Sequence, residues 1–172
     1  SQDNKPVIHK LAKIIKVNPD NVLKILYEYE HDDMDKFSYA PEKYSFHSRA
    51  FVKIQDGCDY MCTYCRVPVA RGKSASMNHE PLVDNIKKLE KKGYREVVLT
   101  GVNIASYKHG KIDFDALLKK IIENTKKIRI RISSMEPERI NKEFIDIINN
   151  KRICSHFHIP VQSGSDKILN LM

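Results

Sequence analysis

Three of the chain's four cysteines fall within eight residues, in the run Cys58-Asp-Tyr-Met-Cys62-Thr-Tyr-Cys65, and the fourth, Cys154, stands almost ninety residues further on. Thiolates are soft donors, and three at this spacing can wrap one face of an iron–sulfur cube while leaving its fourth iron open to another ligand. An open iron implies chemistry, whereas a closed four-cysteine site implies structure or electron transfer. Zinc competes for the same run, with His47 and His79 as candidate fourth ligands, but neither sits at a usual finger spacing. Cys62 and Cys65 alone form a C-x-x-C pair of thioredoxin-like type, which leaves Cys58 without a role. Disulfides suit the run less well: no secretory apolar region opens the sequence, and clustered thiols fit a reducing, cytoplasmic compartment. Cys154 lies in the apolar stretch from Ile153 to Pro160 and reads as a small buried hydrophobe.

Such a run needs a framework that brings distant residues to it. Strand-like segments occur at Ala50–Gln55, Glu96–Thr100, Ile128–Ser133 and His156–Val161, with amphipathic helical periodicity between them over Pro81–Lys92, Asp113–Asn124 and Glu138–Asn149. This alternation predicts an α/β fold of parallel strands joined by right-handed crossovers. Pro81 suits a first helical turn and Gly93 a helix end. Before the cysteines the pattern differs. Val7, Ile8, Leu11, Ile14 and Ile15 are helically spaced, Asn18-Pro-Asp interrupts them, and Asn21 to Tyr27 resumes the pattern, which predicts two short helices. From His31 to Ser48 acidic and aromatic residues replace the periodicity, as in a linker. The expected organisation is a helical segment with linker over 1–47 and an α/β core over 48–172.

At 172 residues, 41% of them hydrophobic, the chain can bury one sizeable core, and no apolar run approaches the ~20 residues of a membrane span, so no membrane partner is expected. The net charge of +8 is unevenly placed: residues 1–47 carry 7 Lys/Arg against 8 Asp/Glu, and residues 48–172 carry 23 against 14. A basic field on the cysteine-bearing segment favours a polyanion, and nucleic acid is the obvious one. Lys87, Lys88, Lys91 and Lys92 read better as the solvated face of a helix.

Five motifs follow one another in order: Lys53-Ile-Gln-Asp-Gly-Cys, Cys65-Arg-Val-Pro-Val-Ala-Arg-Gly, Leu99-Thr-Gly-Val-Asn, Arg129-Ile-Arg-Ile-Ser-Ser-Met-Glu-Pro and His158-Ile-Pro-Val-Gln-Ser-Gly-Ser. On these the sequence, over residues 46–172, resembles the radical SAM enzymes, whose signature is C-x3-C-x2-C after the first strand of a partial (β/α) barrel. Within them it is most similar to the methylthiotransferases, in particular the branch that methylthiolates threonylcarbamoyladenosine beside the tRNA anticodon. The resemblance implies a [4Fe-4S] cluster on Cys58, Cys62 and Cys65, with S-adenosylmethionine chelated by the open iron. It also implies an electron donor such as flavodoxin or ferredoxin, and a 5′-deoxyadenosyl radical that abstracts hydrogen from a tRNA base. About four of six strand–helix units are present, so the chain resembles a fragment holding the first two-thirds of such a core. The family's amino-terminal domain with three further cysteines and its carboxy-terminal RNA-binding barrel have no counterpart, and residues 1–47 contain no cysteine. Such a fragment is expected not to complete methylthiolation alone. A sister branch acting on a ribosomal protein, and a non-catalytic metal module that binds RNA, are the alternative readings.

The resemblance also distributes roles. Tyr64 is similar to an aromatic residue packed beside the cofactor's adenine, and Gly101 and Asn103 occupy the strand end that receives the cofactor's amino group; a turn-capping Asn is the ordinary alternative for Asn103. Ser133, Ser134 and Glu136 follow the third strand, at the carboxyl end where ligands of parallel sheets gather; of these Ser134 and Glu136 are the expected cofactor contacts. An acidic residue stabilising a helix start explains Glu136 equally simply. Gln162 and Ser163 could reach the ribose or carboxylate, although Ser163 or Ser165 could merely cap a helix. His156 and His158 alternate onto one face, so at least one is expected to face a barrel interior. Arg66, Arg71 and Lys73 are expected to border an RNA or cofactor entrance.

Overall fold

From Arg49 onward the chain runs β1 (Arg49–Lys53), β2 (Gln55–Asp56), α1 (Val67–Arg71), β3 (Ala75–Ser76), α2 (His79–Lys91), β4 (Glu96–Thr100), β5 (Lys108–His109), β6 (Ile112–Asp113), α3 (Phe114–Asn124), β7 (Arg129–Ile132), α4 (Lys142–Ile148) and α5 (Asp166–Leu169), with 3-10 turns at Ile104–Ser106 and Pro137–Arg139. The computed structural model describes residues 36–37 and 49–172, so the helices expected within 5–27 and all of the expected linker except residues 36–37 lie outside the described residues. The chain divides into two units, Ser1–Ser38 and Tyr39–Met172, and every described strand and helix belongs to the second.

Strands β1, β4 and β7 form a parallel sheet in that order, with Val52 opposite Leu99 and Leu99 opposite Ile132. One face carries Ala50, Val52, Val97, Leu99, Ile130 and Ile132 into a single core with Leu82, Val83, Ile86 and Leu89 of α2, Leu117, Leu118 and Ile121 of α3, and Phe144 and Ile147 of α4. The opposite face bears Phe51, Val98 and Arg131 in register, outside that core cluster. Parallel strands joined through helices require this layering, because each crossover must return across the sheet.

Helix starts are set by side-chain caps. Asn78 accepts the Glu80 amide (3.0 Å), Asp113 the Ala116 amide (3.0 Å) and Asn141 the Phe144 amide (2.8 Å). These caps move two predicted boundaries: α2 begins at His79, ahead of Pro81, and α4 begins at Lys142 because Pro137 belongs to a separate 3-10 turn. Gly93 (φ 90°) ends α2 with paired bonds, Gly93 N–H to Glu90 O (3.0 Å) and Tyr94 N–H to Leu89 O (3.1 Å).

The predicted fourth strand, His156–Val161, does not form as a strand. The chain there touches β7 and its extension through two isolated parallel bridges, Ile130 to Ile153 and Ser134 to His158. Between them the Cys154 amide donates to Ile130 O (2.8 Å), but the His156 amide turns back to Cys154 O (2.7 Å), and Pro160 has no N–H to give. His156 and His158 are exposed, while Phe157 points the other way and meets Phe144 edge-on at 6.3 Å. Two small antiparallel pairs were also absent from the sequence pattern: β2 with β3, and the hairpin β5–β6, whose turn holds Gly110 at φ 61°.

Candidate metal and cofactor site

The cysteine run is the tip of a loop with a closed neck. β2 and β3 pair Gln55 with Ser76 and Asp56 with Ala75, and just beyond them the Cys58 amide donates to Gly72 O (3.1 Å). Gly57 makes this closure possible: its φ is 71°, and a Cβ there would lie 2.1 Å from Lys73 O and 2.6 Å from Gly72 O. Asp56 braces the neck, with Oδ1 accepting the Gly57 amide (2.8 Å) and Oδ2 facing Lys53 Nζ (2.5 Å) and Arg71 Nη1 (3.4 Å). Burial, the largest single influence, works to raise the Asp56 carboxyl; Lys53, the Gly57 amide and Arg71 together outweigh it and hold the group below its ordinary value. Arg71, expected at an entrance, therefore directs part of its charge into the neck. At the tip the Cys65 amide donates to Cys62 O (3.0 Å), a turn that brings the backbones of those two cysteines close together. Thr63 ties the tip to the end of the α5 segment, its amide donating to Met172 O (2.8 Å) and its hydroxyl to Leu171 O (3.2 Å).

All three thiols are free and partly accessible, and a pocket of about 570 Å³ lined by Cys58, Asp59, Met61, Pro68, Gly72 and Lys73 opens against the loop. Among the described residues no three His, Cys, Asp or Glu side chains converge in a metal-holding arrangement, so the thiols share a loop and a turn without meeting at one point. The donor set and the room beside Cys58 fit a soft iron–sulfur group. His79, the described candidate for a zinc ligand, instead pairs with His109, Nδ1 to Nδ1 3.1 Å apart. Cys154 is buried at the other end of the sheet, its thiol 3.4 Å from Glu96 Oε2.

The carboxyl ends of β4 and β7 lie side by side, since the Ser133 amide donates to Leu99 O (3.2 Å). Two buried oxygens there have no hydrogen-bond partner: Asn103 Oδ1 and Ser133 Oγ. Buried polar atoms without partners are rare enough to require an explanation, and a bound ligand is one. Asn103 sits at the start of a 3-10 turn but does not cap it, which removes the ordinary alternative for its side chain. Gly101 is confined by protein, not only open to a ligand: a Cβ would meet Ile104 Cγ2 at 2.8 Å and Gln55 O at 2.9 Å. The Ser134 hydroxyl is engaged with His158 Nδ1 (2.6 Å), leaving its neighbour Ser133 as the unpaired one.

Glu136 precedes the Pro137–Arg139 turn and does not cap it; its carboxyl is raised by burial and then by Glu138. The loop tyrosines show that this turn stands beside the cysteines. The Tyr60 hydroxyl is pushed up by Glu138 first, then by burial, Cys58, Glu136 and Cys62. The Tyr64 hydroxyl is pushed up by desolvation and Cys62, with Glu136 and Cys65 contributing. Tyr64 is about half exposed (52%). Gln162 has a φ of 57°, and the Ser163 amide donates across it to Val161 O (2.6 Å), so it is the centre of a strained i-to-i+2 turn. Ser163 Oγ accepts the Ser165 amide (3.1 Å), and Ser165 holds the N-cap position of α5 without a side-chain cap. The sequence reading missed Gln55, which is fully buried and bonded to both sides of the neck; its position two residues before a Gly-Cys pair was the available signal.

A parallel sheet carrying a three-cysteine loop after its first strand and unpaired polar groups at its carboxyl rim defines a class. The family model of the Radical SAM superfamily matches residues 52–172, and the chain belongs to that superfamily. The particular relatives are narrower. The chain is 46% identical over 134 residues to threonylcarbamoyladenosine tRNA methylthiotransferase MtaB of Treponema pallidum (strain Nichols), covering 78% of this chain and 28% of that protein. It is 44% identical over 127 residues to tRNA-2-methylthio-N(6)-dimethylallyladenosine synthase of Thermodesulfovibrio yellowstonii, covering 72% and 29%. The chain thus spans under a third of the length of these curated relatives. Among solved structures it resembles the radical S-adenosylmethionine methyltransferase TsrM of Kitasatospora setae with a TM-score of 0.56, at 15% identity over 70% of this chain and 23% of that one. This likeness bears out the α/β fold. No helix among the described residues is long and apolar enough to cross a membrane.

Proposed function

We propose that residues 49–172 form the core of a radical SAM methylthiotransferase that binds a [4Fe-4S] cluster and S-adenosylmethionine and acts on threonylcarbamoyladenosine beside the tRNA anticodon. The observation that carries the cofactor reading is the pair of buried, unpartnered oxygens, Asn103 Oδ1 and Ser133 Oγ, on neighbouring strand ends next to a loop of three free thiols. The tRNA reading rests on the relatives' names, the five motifs and the basic charge of this segment.

Cys58, Cys62 and Cys65 would hold the cluster, which would supply one-electron reduction of S-adenosylmethionine. The chain's own residues place the cofactor. Asn103 Oδ1 would accept from its ammonium, the Ser133 hydroxyl and the Glu136 carboxylate would bind its polar end, and Tyr64 would pack on its adenine. Gln162 and Ser163 stand at the last rim segment, where a side chain held at positive φ projects where an extended residue would not. Ser134, bonded to His158, holds that segment against β7. Arg66 and Lys73 attract the tRNA backbone, and an electron donor such as a flavodoxin or ferredoxin delivers reducing equivalents.

Anaerobic reconstitution followed by iron counting and a search for 5′-deoxyadenosine tests this reading. About four irons per chain and cleavage of S-adenosylmethionine support it. Stoichiometric zinc without cleavage would leave a metal-binding RNA module, and modification of a ribosomal protein in place of tRNA would move the substrate to the sister branch.

A further inference from the structure

The geometry points to Gln55 as a positioning residue that fixes the cysteine loop and the Asn103 strand end as one body, so that the cluster and the cofactor's amino end keep a set distance. Gln55 is fully buried. Its Nε2 donates to Gly57 O (2.7 Å), Asp56 O (3.1 Å) and Ser74 Oγ (3.0 Å), all in the neck, while its Oε1 accepts the Asn103 amide (2.7 Å) from the other loop. A flipped amide would set its oxygen against two carbonyls and its NH2 against the Asn103 N–H, so one orientation is enforced.

These hydrogen bonds close a ring. Ser74 Oγ shares a hydrogen bond with Ser106 Oγ (3.2 Å), Ser106 Oγ donates to Asn103 O (2.7 Å), and the Asn103 amide returns to Gln55. Gly101 leaves the space Gln55 needs, since a Cβ there would come within 3.0 Å of Oε1. Asn103 is therefore held through both its backbone N–H and its C=O, while its side-chain oxygen stays unpaired. A residue clamped at the backbone with a free buried acceptor is preorganised for a ligand, and its placement depends on the residue that clamps it.

This inference rests on the cofactor reading above, and two measurements keep the two apart. In the metal-free full chain, hydrogen exchange compares wild type with Gln55→Ala and Gln55→Glu. The latter keeps the volume and the acceptor for Asn103 but turns an oxygen on the neck carbonyls. Coupling predicts faster exchange in both the 57–74 and the 101–107 amides for Gln55→Ala; faster exchange in only one of them overturns the inference. In the reconstituted chain, both variants are expected to weaken S-adenosylmethionine about tenfold or more and to change the shift that the cofactor causes in the reduced cluster's electron paramagnetic resonance. Glu90→Ala, which removes the acceptor for the Lys126, Lys127 and Ile128 amides away from the rim, serves as a destabilised control. Gln55→Ala added to Asn103→Ala is expected to cost no further affinity. Wild-type affinity in the Gln55 variants, or a loss matched by the control, refutes the positioning role. Failure of wild type to take up iron or cofactor refutes the proposed function and leaves the exchange result to decide the coupling.

Discussion

Gly57 and Gly93 both adopt positive φ, 71° and 90°, yet their surroundings differ completely. Nothing lies within 4 Å of a Cβ built on Gly93, whereas one on Gly57 meets two backbone carbonyls. Gly93→Ala is expected to cost only the backbone term of about 1–2 kcal/mol. Gly57→Ala must also part the neck, and should lower the urea midpoint further and speed proteolysis between Cys58 and Gly72. Equal losses would mean that the neck yields freely. The cysteines divide the same way. Cys58→Ala, Cys62→Ala and Cys65→Ala should each abolish iron uptake, while Cys154→Ala keeps it, because burial and then Glu96 push the Cys154 thiol up and away from the thiolate a metal needs. Iron per chain after reconstitution reads this directly, and loss in Cys154→Ala would overturn the ligand assignment.

Elements are held in place by buried charge at both ends of the sheet. At its amino end Glu96 of β4 meets Arg131 of β7 (2.7 Å) and Arg49 of β1 (2.9 Å); at its carboxyl end Asp56 meets Lys53 and Arg71. Burial, the largest influence on each, is outweighed by these partners, and both carboxyls lie below their ordinary values of 4.5 and 3.8. Groups with depressed values stabilise the fold fully above those ordinary values and lose that contribution as pH falls through the depressed ones. The urea midpoint should therefore be flat near neutrality and fall below about pH 4.5, and Glu96→Gln should shrink that acid dependence. A second lock joins the Glu136 turn to α3: Arg139 Nη2 lies 2.8 Å from Asp113 Oδ2 and 2.8 Å from Asp115 Oδ2. Asp115 is buried, and its carboxyl is raised by that burial despite Arg139. Arg139→Met strands this carboxylate and should cost about 3 kcal/mol, by analogy with other broken buried pairs. Arg139→Met with Asp115→Asn should recover much of the loss in a denaturation series.

Across the whole molecule the question is whether positive charge is focused or diffuse. Arg66 and Lys73 flank the cysteine loop, while Lys91 and Lys92 are exposed at the end of α2. Reversing Arg66 and Lys73 to Glu should weaken tRNA binding and flatten its salt dependence by about one unit of slope for each phosphate no longer neutralised. Reversing Lys91 and Lys92 should change both far less. Equal effects in filter-binding titrations would place the RNA elsewhere than at the loop.

What the sequence determined by itself was local in origin or repeated along the chain: the cysteine spacing, the alternation of strand and helix, and the motif order that identifies the strand ends. Period-2 and period-3.6 patterns survive folding because burial of one face enforces them, so β4 was read at its observed boundaries and α3 within one residue. The structure decided what depends on the meeting of distant residues. The fourth strand failed because a ladder needs amides facing a partner, and His156 and Pro160 do not supply them. The sequence pointed to Ser134 over Ser133 as the cofactor contact, but the position of His158 leaves the Ser134 hydroxyl bonded and the Ser133 hydroxyl unpaired. Gln55 carried no periodic signal, because its role is to join Gly57 and Ser74 to Asn103, 48 residues away. Tertiary folding alone sets such a bond, because hydrogen bonds between distant segments form where the packed sheet brings their backbones together, and no spacing rule along the chain encodes that meeting.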